Sequence, residues 1–353
     1  MHGASPTDPA GPSGTVTHLT DRHPTVTPER LVAGLVPPPT FADVSFDNYR
    51  PDPAEPSQAA AVESCRTFCD DAVRRRAGKK KLFGKREVLP GVGVYLDGGF
   101  GVGKTHLLAS TYYRLAGAQA GPAAFATFGE LTQLAGVFGF VECIELLSEY
   151  VVVCIDEFEL DDPGNTTLIS RLLSALVERG VSIAATSNTL PEQLGEGRFA
   201  AQDFLREINT LAQMFTTVRI EGPDYRHRDL PPAPEPPGDD EVCARAADTP
   251  GATLDDFDAL CAHLATMHPS RYLALIEGVT EVFVTGVHPI EDQSVALRLV
   301  SLTDRLYDAG IPVVASGAKL DTVFSDEMLA GGFRKKYLRA TSRLLALTHA
   351  GQA

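Results

Sequence analysis

The most constraining feature of this chain is a glycine-rich segment placed between a short apolar run and a helical pattern. The segment Gly93–Leu108 is GVYLDGGFGVGKTHLL, which contains the pattern G-x-x-x-x-G-K-T from Gly98 to Thr105. A segment of this kind, after a strand and before a helix, folds so that backbone N–H groups point inward at phosphate oxygens. The positive end of the helix adds to the preference for anions. The segment therefore predicts a phosphate-binding loop in an α/β fold.

Each residue type in the predicted loop has its own expected task. Lys104 would reach the β- and γ-phosphates, and the Thr105 hydroxyl would bind Mg²⁺. The implied cofactors are ATP and Mg²⁺. The loop and the first turn of the helix supply the expected nucleotide contacts, namely Gly98, Gly99, Phe100, Gly101, Val102, Gly103, Lys104, Thr105 and His106.

Two later strands end in polar residues that complete a hydrolytic site. The run VVVCIDEF ends in Asp156 and Glu157, and VSIAATSN ends in Asn188. Since the carboxyl ends of parallel strands meet at one edge, Asp156 is expected to bind the Mg²⁺ beside Thr105. Glu157 would deprotonate the attacking water, and Asn188 would hydrogen-bond that water and the γ-phosphate. The alternatives are two solvated acids at a strand end and an asparagine that caps the next turn. The predicted catalytic set is Lys104, Asp156, Glu157 and Asn188.

The fold class follows from the alternation of short apolar runs with helical patterns between Gly93 and Ile220. Nearly uninterrupted apolar strands are typical of a parallel sheet covered on both faces. The chain is therefore predicted as a doubly wound α/β P-loop NTPase. Its three strand-end signals define an ATPase of the additional-strand P-loop class, followed by a C-terminal α+β lid-like region.

Composition divides the chain into four segments. Residues 1–40 contain eight prolines and no aromatic residue, which predicts a disordered tail. Residues 41–228 form the predicted P-loop ATPase core. Residues 229–254 are proline-rich and acidic, which indicates a linker. Residues 255–353 form a second region.

The second region repeats a strand–helix–strand pattern of the core 130 residues later. Gly286, Val287 and Ala318 stand where the core has its two carboxylates and its asparagine. Generic patterning and duplication both account for the repeat. In either case the second unit is expected to be catalytically empty.

Charge and composition bound the partners and the compartment. A formal net charge of −15 argues against bulk binding to nucleic acid or anionic membranes. Eight cations nevertheless lie between Arg74 and Arg86, as a solvated loop or as a patch for a partner or phosphate backbone. No signal peptide, membrane span or metal-binding cysteine spacing is found. We therefore expect a cytoplasmic protein with reduced thiols.

Several blocks of the sequence resemble the ZapE family and its mitochondrial AFG/LACE-type AAA+ relatives between Phe41 and Leu347. These blocks are DGGFGVGKTHLL, VVCIDEFELDD, IAATSNTLPEQL, DYRHR, FDALC, LTDRLYDAGIPV and RATSRLLAL. The resemblance implies an AAA+ ATPase that is cytoplasmic and recruited to the division site. The implied protein partner is the tubulin-like division-ring protein.

The resemblance also assigns residues outside the phosphate loop. Arg339 and Arg343 match a family Arg-Thr-x-Ser-Arg-Leu block and would share a helix face. They would bring cationic charge to the nucleotide, with a surface ion pair as the alternative. Gln58 is a candidate for contacting adenine.

The arginine finger departs from the family pattern. The expected arginines fall on Ala201 and Asp203, which leaves Arg198 and Arg206 as substitutes. Completion of the site by a neighbouring copy would imply a homo-oligomer.

Two classes of function compete. The first is an ATPase that remodels a protein partner, and the second is a nucleic-acid-associated loader or remodeler, motivated by the basic segment. A phosphotransferase ranks last, because Glu157 beside Asp156 favours water as the acceptor.

Overall fold

The chain folds into two units that are interleaved in sequence. The computed structural model describes residues 16–78, 89–118, 121–158, 163–190, 205–223 and 233–352. The first unit is Val26–Asp229, and the second unit joins Met1–Thr25 to Leu230–Ala353. The chain therefore leaves the second unit, forms the first and returns.

The first unit is built on a five-stranded parallel sheet. Its strands are β1 (Gly93–Gly98), β2 (Ala123–Thr127), β3 (Val152–Asp156), β4 (Ser182–Ser187) and β5 (Phe215–Ile220). Their spatial order is β2-β3-β4-β1-β5. β4 is the additional strand, inserted between β1 and β3. The carboxyl ends of β1, β4 and β3 are therefore neighbours at one edge of the sheet.

Helices cover both faces of this sheet. They are α1 (Pro28–Ala33), α2 (Pro56–Ala77), α3 (Lys104–Gly117), α4 (Phe128–Phe138), α5 (Phe140–Ser148), α6 (Pro163–Glu178) and α7 (Leu205–Met214). Val153 and Ile155 pack on the face of α4 to α6, while Val152 and Cys154 pack on the face of α2 and α3. Both faces of β3 are buried, which explains its unbroken apolar sequence.

Within the described ranges, no single helix is long and apolar enough to cross a membrane. Helices α4 and α5 reach that length and hydropathy only when taken together, and they form a pair bent by 117°.

The second unit has its own parallel sheet. It is therefore an α/β unit and differs from the predicted α+β region. Its strands are β6 (Thr253–Asp256), β7 (Val282–Val287) and β8 (Val313–Gly317), in the order β6-β7-β8. Its helices are α8 (Asp239–Asp248), α9 (Phe257–Ala265), α10 (Tyr272–Leu275), α11 (Gln293–Ala309), α12 (Asp326–Ala330) and α13 (Arg334–Ala350). The β7–α11–β8 unit matches β3–α6–β4 in element order and in parallel pairing.

The first segment of the chain differs from the predicted disordered tail. Within residues 16–40, Thr17 bridges to Thr253 of β6 and Leu19 is fully buried. The Leu19 N–H donates to the Asp255 carboxylate at 2.9 Å. Helix α1 follows at residue 28. Local composition missed this order, because the partners of residues 17–20 lie in the second unit, far along the chain.

The predicted linker is also corrected. Residues 239–248 form α8, whose Val242 is fully buried, and Thr253 begins β6. Three acidic residues in the first turn of α8 stabilise the helix, because their negative charge lies at the positive end of its dipole. Five of the six prolines of residues 229–254 precede this helix, and the sixth follows it.

Candidate active site

The glycine-rich loop, Gly98–Thr105, connects β1 to α3. Gly98 ends β1 where a side chain has no room, since a Cβ there would lie 2.3 Å from the carbonyl oxygen of Ile220. Gly103 has φ +87°, in the left-handed region, and directly precedes the first helical residue. The path of the loop therefore depends on these two glycines.

The side chain of Lys104 folds back over the loop. Its Nζ donates to the carbonyl oxygens of Gly98 at 2.8 Å and Gly99 at 2.6 Å. It also donates to Asn188 Oδ1 at 2.7 Å. The structure thus brings together Lys104 and Asn188, which follow different strands. A phosphate oxygen is a charged and stronger acceptor than these oxygens, so a bound triphosphate can replace them.

Asp156 lies at the end of β3 beside two hydroxyl groups. Thr105 Oγ1 is 3.2 Å from both carboxylate oxygens of Asp156. Thr186 Oγ1 donates to Asp156 Oδ1 at 2.5 Å. The Asp156 residue is only 7% exposed. These contacts hold the carboxylate against the first turn of α3.

This arrangement fits a magnesium ion that also binds phosphate. Carboxylate and hydroxyl oxygens are the hard ligands that Mg²⁺ prefers, and it usually takes only one or two from the protein. Within the described ranges, no group of three or more His, Cys, Asp or Glu could hold a metal ion. Thr105 and Asp156, whose oxygens lie 3.2 Å apart, are the residues that would hold Mg²⁺.

Glu157 has an unusual backbone conformation for a residue with a side chain. Its φ is +54°, which costs about 1–2 kcal/mol in a residue other than glycine. Its N–H donates to Thr186 Oγ1 at 3.1 Å, and the next N–H, of Phe158, donates to Thr186 O at 2.7 Å. These bonds to β4 stabilise the backbone conformation of Glu157, a half-exposed residue directly after Asp156.

A buried aromatic cluster supports both strand ends. Phe158 is fully buried and packs edge-on against Tyr95 and Phe128. The Tyr95 hydroxyl donates to the carbonyl oxygen of Thr189 at 2.8 Å, directly after Asn188. The residues that follow Glu157 and Asn188 are thus fixed by this cluster.

The sequence reasoning missed three residues near this edge. Thr186 joins Asp156 to the backbone of Glu157, and its only sequence signal is its place two residues before Asn188. Tyr95 lies inside an apolar strand and carries no local signal. Asp97 is 3% exposed and pairs with Arg219 at 3.1 Å. Its position next to Gly98 is the only signal that could have found it.

Two predicted nucleotide contacts have protein partners. The Gln58 amide accepts from the N–H of Asp52 at 2.8 Å and donates to the carbonyl oxygen of Glu221 at 2.9 Å. Gln58 therefore ties the start of α2 to the end of β5, and its contact with adenine remains a prediction. His106 Nε2 lies 3.0 Å from the carbonyl oxygen of Ser45.

Arg339 and Arg343 converge on one carboxylate in the second unit. Arg339 Nη2 donates to Asp304 Oδ2 at 2.7 Å, and Arg343 Nη1 donates to Asp304 Oδ1. Burial alone would raise the pKa of Asp304, but the two guanidinium groups outweigh it and lower the pKa to about 2. The predicted ion pair is present and is buried rather than on the surface. A nucleotide contact by these arginines stays a prediction.

The candidate arginine fingers and the basic segment lie partly outside the described residues. Arg206 is exposed on α7, and Arg198 lies outside the described residues. Arg75 donates to the carbonyl oxygen of Pro90, and Arg76 donates to those of Ser148 and Glu149. The basic segment from residue 79 to 86 is outside the described residues.

The fold and the site together define a class. A parallel sheet with a phosphate loop after β1, an inserted β4 and paired carboxylates after β3 is the arrangement of a P-loop ATPase of the AAA+ class. The sequence model of the AFG1-like ATPase family matches residues 25–248 and 232–352. The chain therefore belongs to the AFG1-like ATPase family.

Individual relatives match smaller parts of the chain. Cell division protein ZapE of Escherichia coli K12 is 29% identical over 277 residues, which covers 67% of this chain and 74% of that protein. Lactation elevated protein 1 homolog B of Danio rerio is 30% identical over 95 residues, or 27% of this chain and 19% of that protein. A crystal structure of DnaI is similar over 55% of this chain and 98% of that one, with TM-score 0.40 and 20% identity.

Proposed function

We propose that this ATPase depends on Mg²⁺ and uses hydrolysis to remodel or regulate a protein partner in cell division. The observation that carries the proposal is the meeting of three strand ends at one edge of the sheet, with Lys104, Thr105, Asp156, Glu157 and Asn188. The division role is supported by the similarity to cell division protein ZapE of Escherichia coli.

The residues divide the chemical work between them. When bound beside Thr105 and Asp156, Mg²⁺ would neutralise charge on the β- and γ-phosphates. Glu157 accepts a proton from the attacking water, and Asn188 orients that water. Lys104 exchanges its contact with Asn188 for the γ-phosphate. The contacts of Asn188 then differ between the nucleotide states, which couples hydrolysis to the end of β4.

The partner and the assembly follow the family resemblance. The proposed partner is the tubulin-like division-ring protein, and the proposed location is the cytoplasm with recruitment to the division site. A homo-oligomer belongs to the proposal, because Arg206 or Arg198 of a neighbouring copy would complete the site. A nucleic-acid partner has less support, since Arg75 and Arg76 bond to backbone carbonyls of their own unit.

The test is the ATPase rate per molecule, measured across protein concentration with and without the polymerised division-ring protein. We expect the rate to require Mg²⁺, to rise with concentration and to change when the polymer is added. Lys104→Ala should abolish turnover, while Lys335→Ala, at an exposed lysine of the second unit, should not. Stimulation by single-stranded DNA at low salt, with no response to the polymer, would overturn the proposed partner.

A further inference from the structure

The segment that precedes α2 contacts the phosphate loop through Tyr49. The Tyr49 hydroxyl donates to the carbonyl oxygen of Val102 at 2.8 Å. Its ring lies against Gly103, where an added Cβ would be 2.5 Å from Tyr49 Cε2. The same ring meets His106 edge-on, with 5.4 Å between ring centroids. One side chain thus touches the loop, its last glycine and the first turn of α3.

The turn before Tyr49 is held by its own side chains. The N–H of Ser45 donates to Asn48 Oδ1 at 2.8 Å, and Asn48 Nδ2 donates to the carbonyl oxygen of Asp43 at 2.8 Å. The Ser45 carbonyl oxygen in turn lies 3.0 Å from His106 Nε2. Tyr49 therefore follows a turn that is fixed by side-chain hydrogen bonds.

The residues after Tyr49 are tied to the sheet. Gln58 bridges the N–H of Asp52 and the carbonyl oxygen of Glu221. Ser57 Oγ accepts from the N–H of Glu221 at 2.9 Å. Since Glu221 follows β5, which pairs with β1 up to Gly98, the segment is fixed to the strand beside the loop.

The Tyr49 hydrogen bond constrains the direction of a loop amide. In a trans peptide the C=O and the following N–H point in opposite directions. A hydroxyl that holds the Val102 carbonyl oxygen therefore turns the N–H of Gly103 away from Tyr49. Phosphate loops need their N–H groups turned inward and their carbonyls turned outward. The Tyr49 hydroxyl is a donor at neutral pH, and burial raises its pKa further, to about 12.

We propose that Tyr49 is a positioning residue that holds the phosphate loop in the shape that receives the phosphates of ATP. It acts through the backbone of Val102 and Gly103 and does not touch the reacting atoms. The proposal concerns nucleotide binding and is independent of the partner.

The test compares Tyr49→Phe with wild type in ATP hydrolysis and in inhibition by inorganic tripolyphosphate, which has phosphates but no base. A lost neutral hydrogen bond corresponds to about a 3- to 10-fold change in binding. We expect the KM for ATP and the inhibition constant of tripolyphosphate to rise by that factor together, with kcat nearly unchanged. Tyr150→Phe, at a half-buried tyrosine before β3, should change neither constant.

A second variant loosens the turn without altering the tyrosine. Asn48→Ala should raise both constants in the same direction as Tyr49→Phe. The proposal is overturned if both variants keep wild-type constants. It is also overturned if the KM for ATP rises while the tripolyphosphate constant does not, since Tyr49 would then act on the base.

Discussion

At the scale of single residues, Asp156 and Glu157 are adjacent in the chain but have different surroundings. Asp156 is buried between the hydroxyls of Thr105 and Thr186. Glu157 is half-exposed, and its backbone rather than its carboxyl bonds to Thr186. A buried carboxylate among hydroxyls suits a metal ion, whereas a more open one suits proton transfer from water. Substitution at the two positions should therefore have separable effects.

Glu157→Gln removes the proposed base and keeps the size of the side chain. We expect ATP turnover to fall at least about 100-fold, which is typical for loss of a general base. Nucleotide affinity should stay near that of wild type, because the phosphate loop and Asp156 are unchanged. Turnover and titration with ATP measure the two effects. Glu142→Gln, at an exposed glutamate of α5, is the control, and wild-type turnover in Glu157→Gln would reject the assigned base.

The residues that sequence could predict at this site share one property. Lys104, Asp156 and Asn188 each follow an apolar strand, and parallel strands end at a common edge, so their meeting is a consequence of topology. Thr186 and Tyr49 act through hydrogen bonds to residues elsewhere in the chain. Such contacts depend on side-chain direction and backbone path, which local patterns do not encode. The left-handed backbone of Glu157 was unpredictable for the same reason.

At the scale of elements, α11 and α13 are joined by a buried ion triad. The side chains of Asp304, Arg339 and Arg343 are 14%, 7% and 9% exposed. Asp304→Asn removes the charge that both guanidinium groups face. Breaking a buried pair typically costs about 3–5 kcal/mol, so we expect the second unit to unfold at lower urea concentration. Asp248→Asn, at an exposed residue at the end of α8, is the matched control.

The sign of the pH dependence follows from the lowered pKa of Asp304. A carboxyl whose pKa is lower in the folded protein contributes stability above its unfolded pKa of about 3.9. That contribution is lost as pH falls toward the folded value of about 2. The difference in unfolding free energy between wild type and Asp304→Asn should therefore be full at pH 7 and shrink between about pH 4 and pH 2. A constant difference over this range would contradict the assigned charge of Asp304.

Element prediction succeeded where periodicity was strong and failed where partners were distant. The strand predicted before Asp156 and the helix predicted after the glycine-rich segment are present as β3 and α3. The segment around Leu19 has too few apolar residues to order itself. It is ordered by Asp255, whose carboxylate accepts from the N–H groups of Leu19 and Thr20. The composition of a segment indicates how much apolar surface it can bury by itself. It does not show that Leu19 is buried in the core of the second unit.

At the scale of the whole molecule, the ATPase unit is an insertion within the second unit. The chain enters it after Thr25 and leaves it before Leu230. Two residues of the predicted tail therefore belong to different cores. Leu19 is fully buried among residues of the second unit, and Leu35 is 5% exposed in the core of the first. Sequence distance between them is short, but their energetic effects should be separate.

Leu19→Ala and Leu35→Ala test this division as a matched pair, each creating a cavity worth about 2–5 kcal/mol. Leu19→Ala should accelerate hydrogen exchange at Leu254, whose N–H donates to Thr17, and throughout β6 to β8. Leu35→Ala should accelerate exchange at Phe125, whose N–H donates to Leu35, and in the rest of β2. Each variant should leave the other sheet near wild-type rates, since local opening reports the stability of its own cooperative unit. Equal acceleration of hydrogen exchange in both sheets by Leu19→Ala would show that the two units unfold as one cooperative unit, contrary to this prediction.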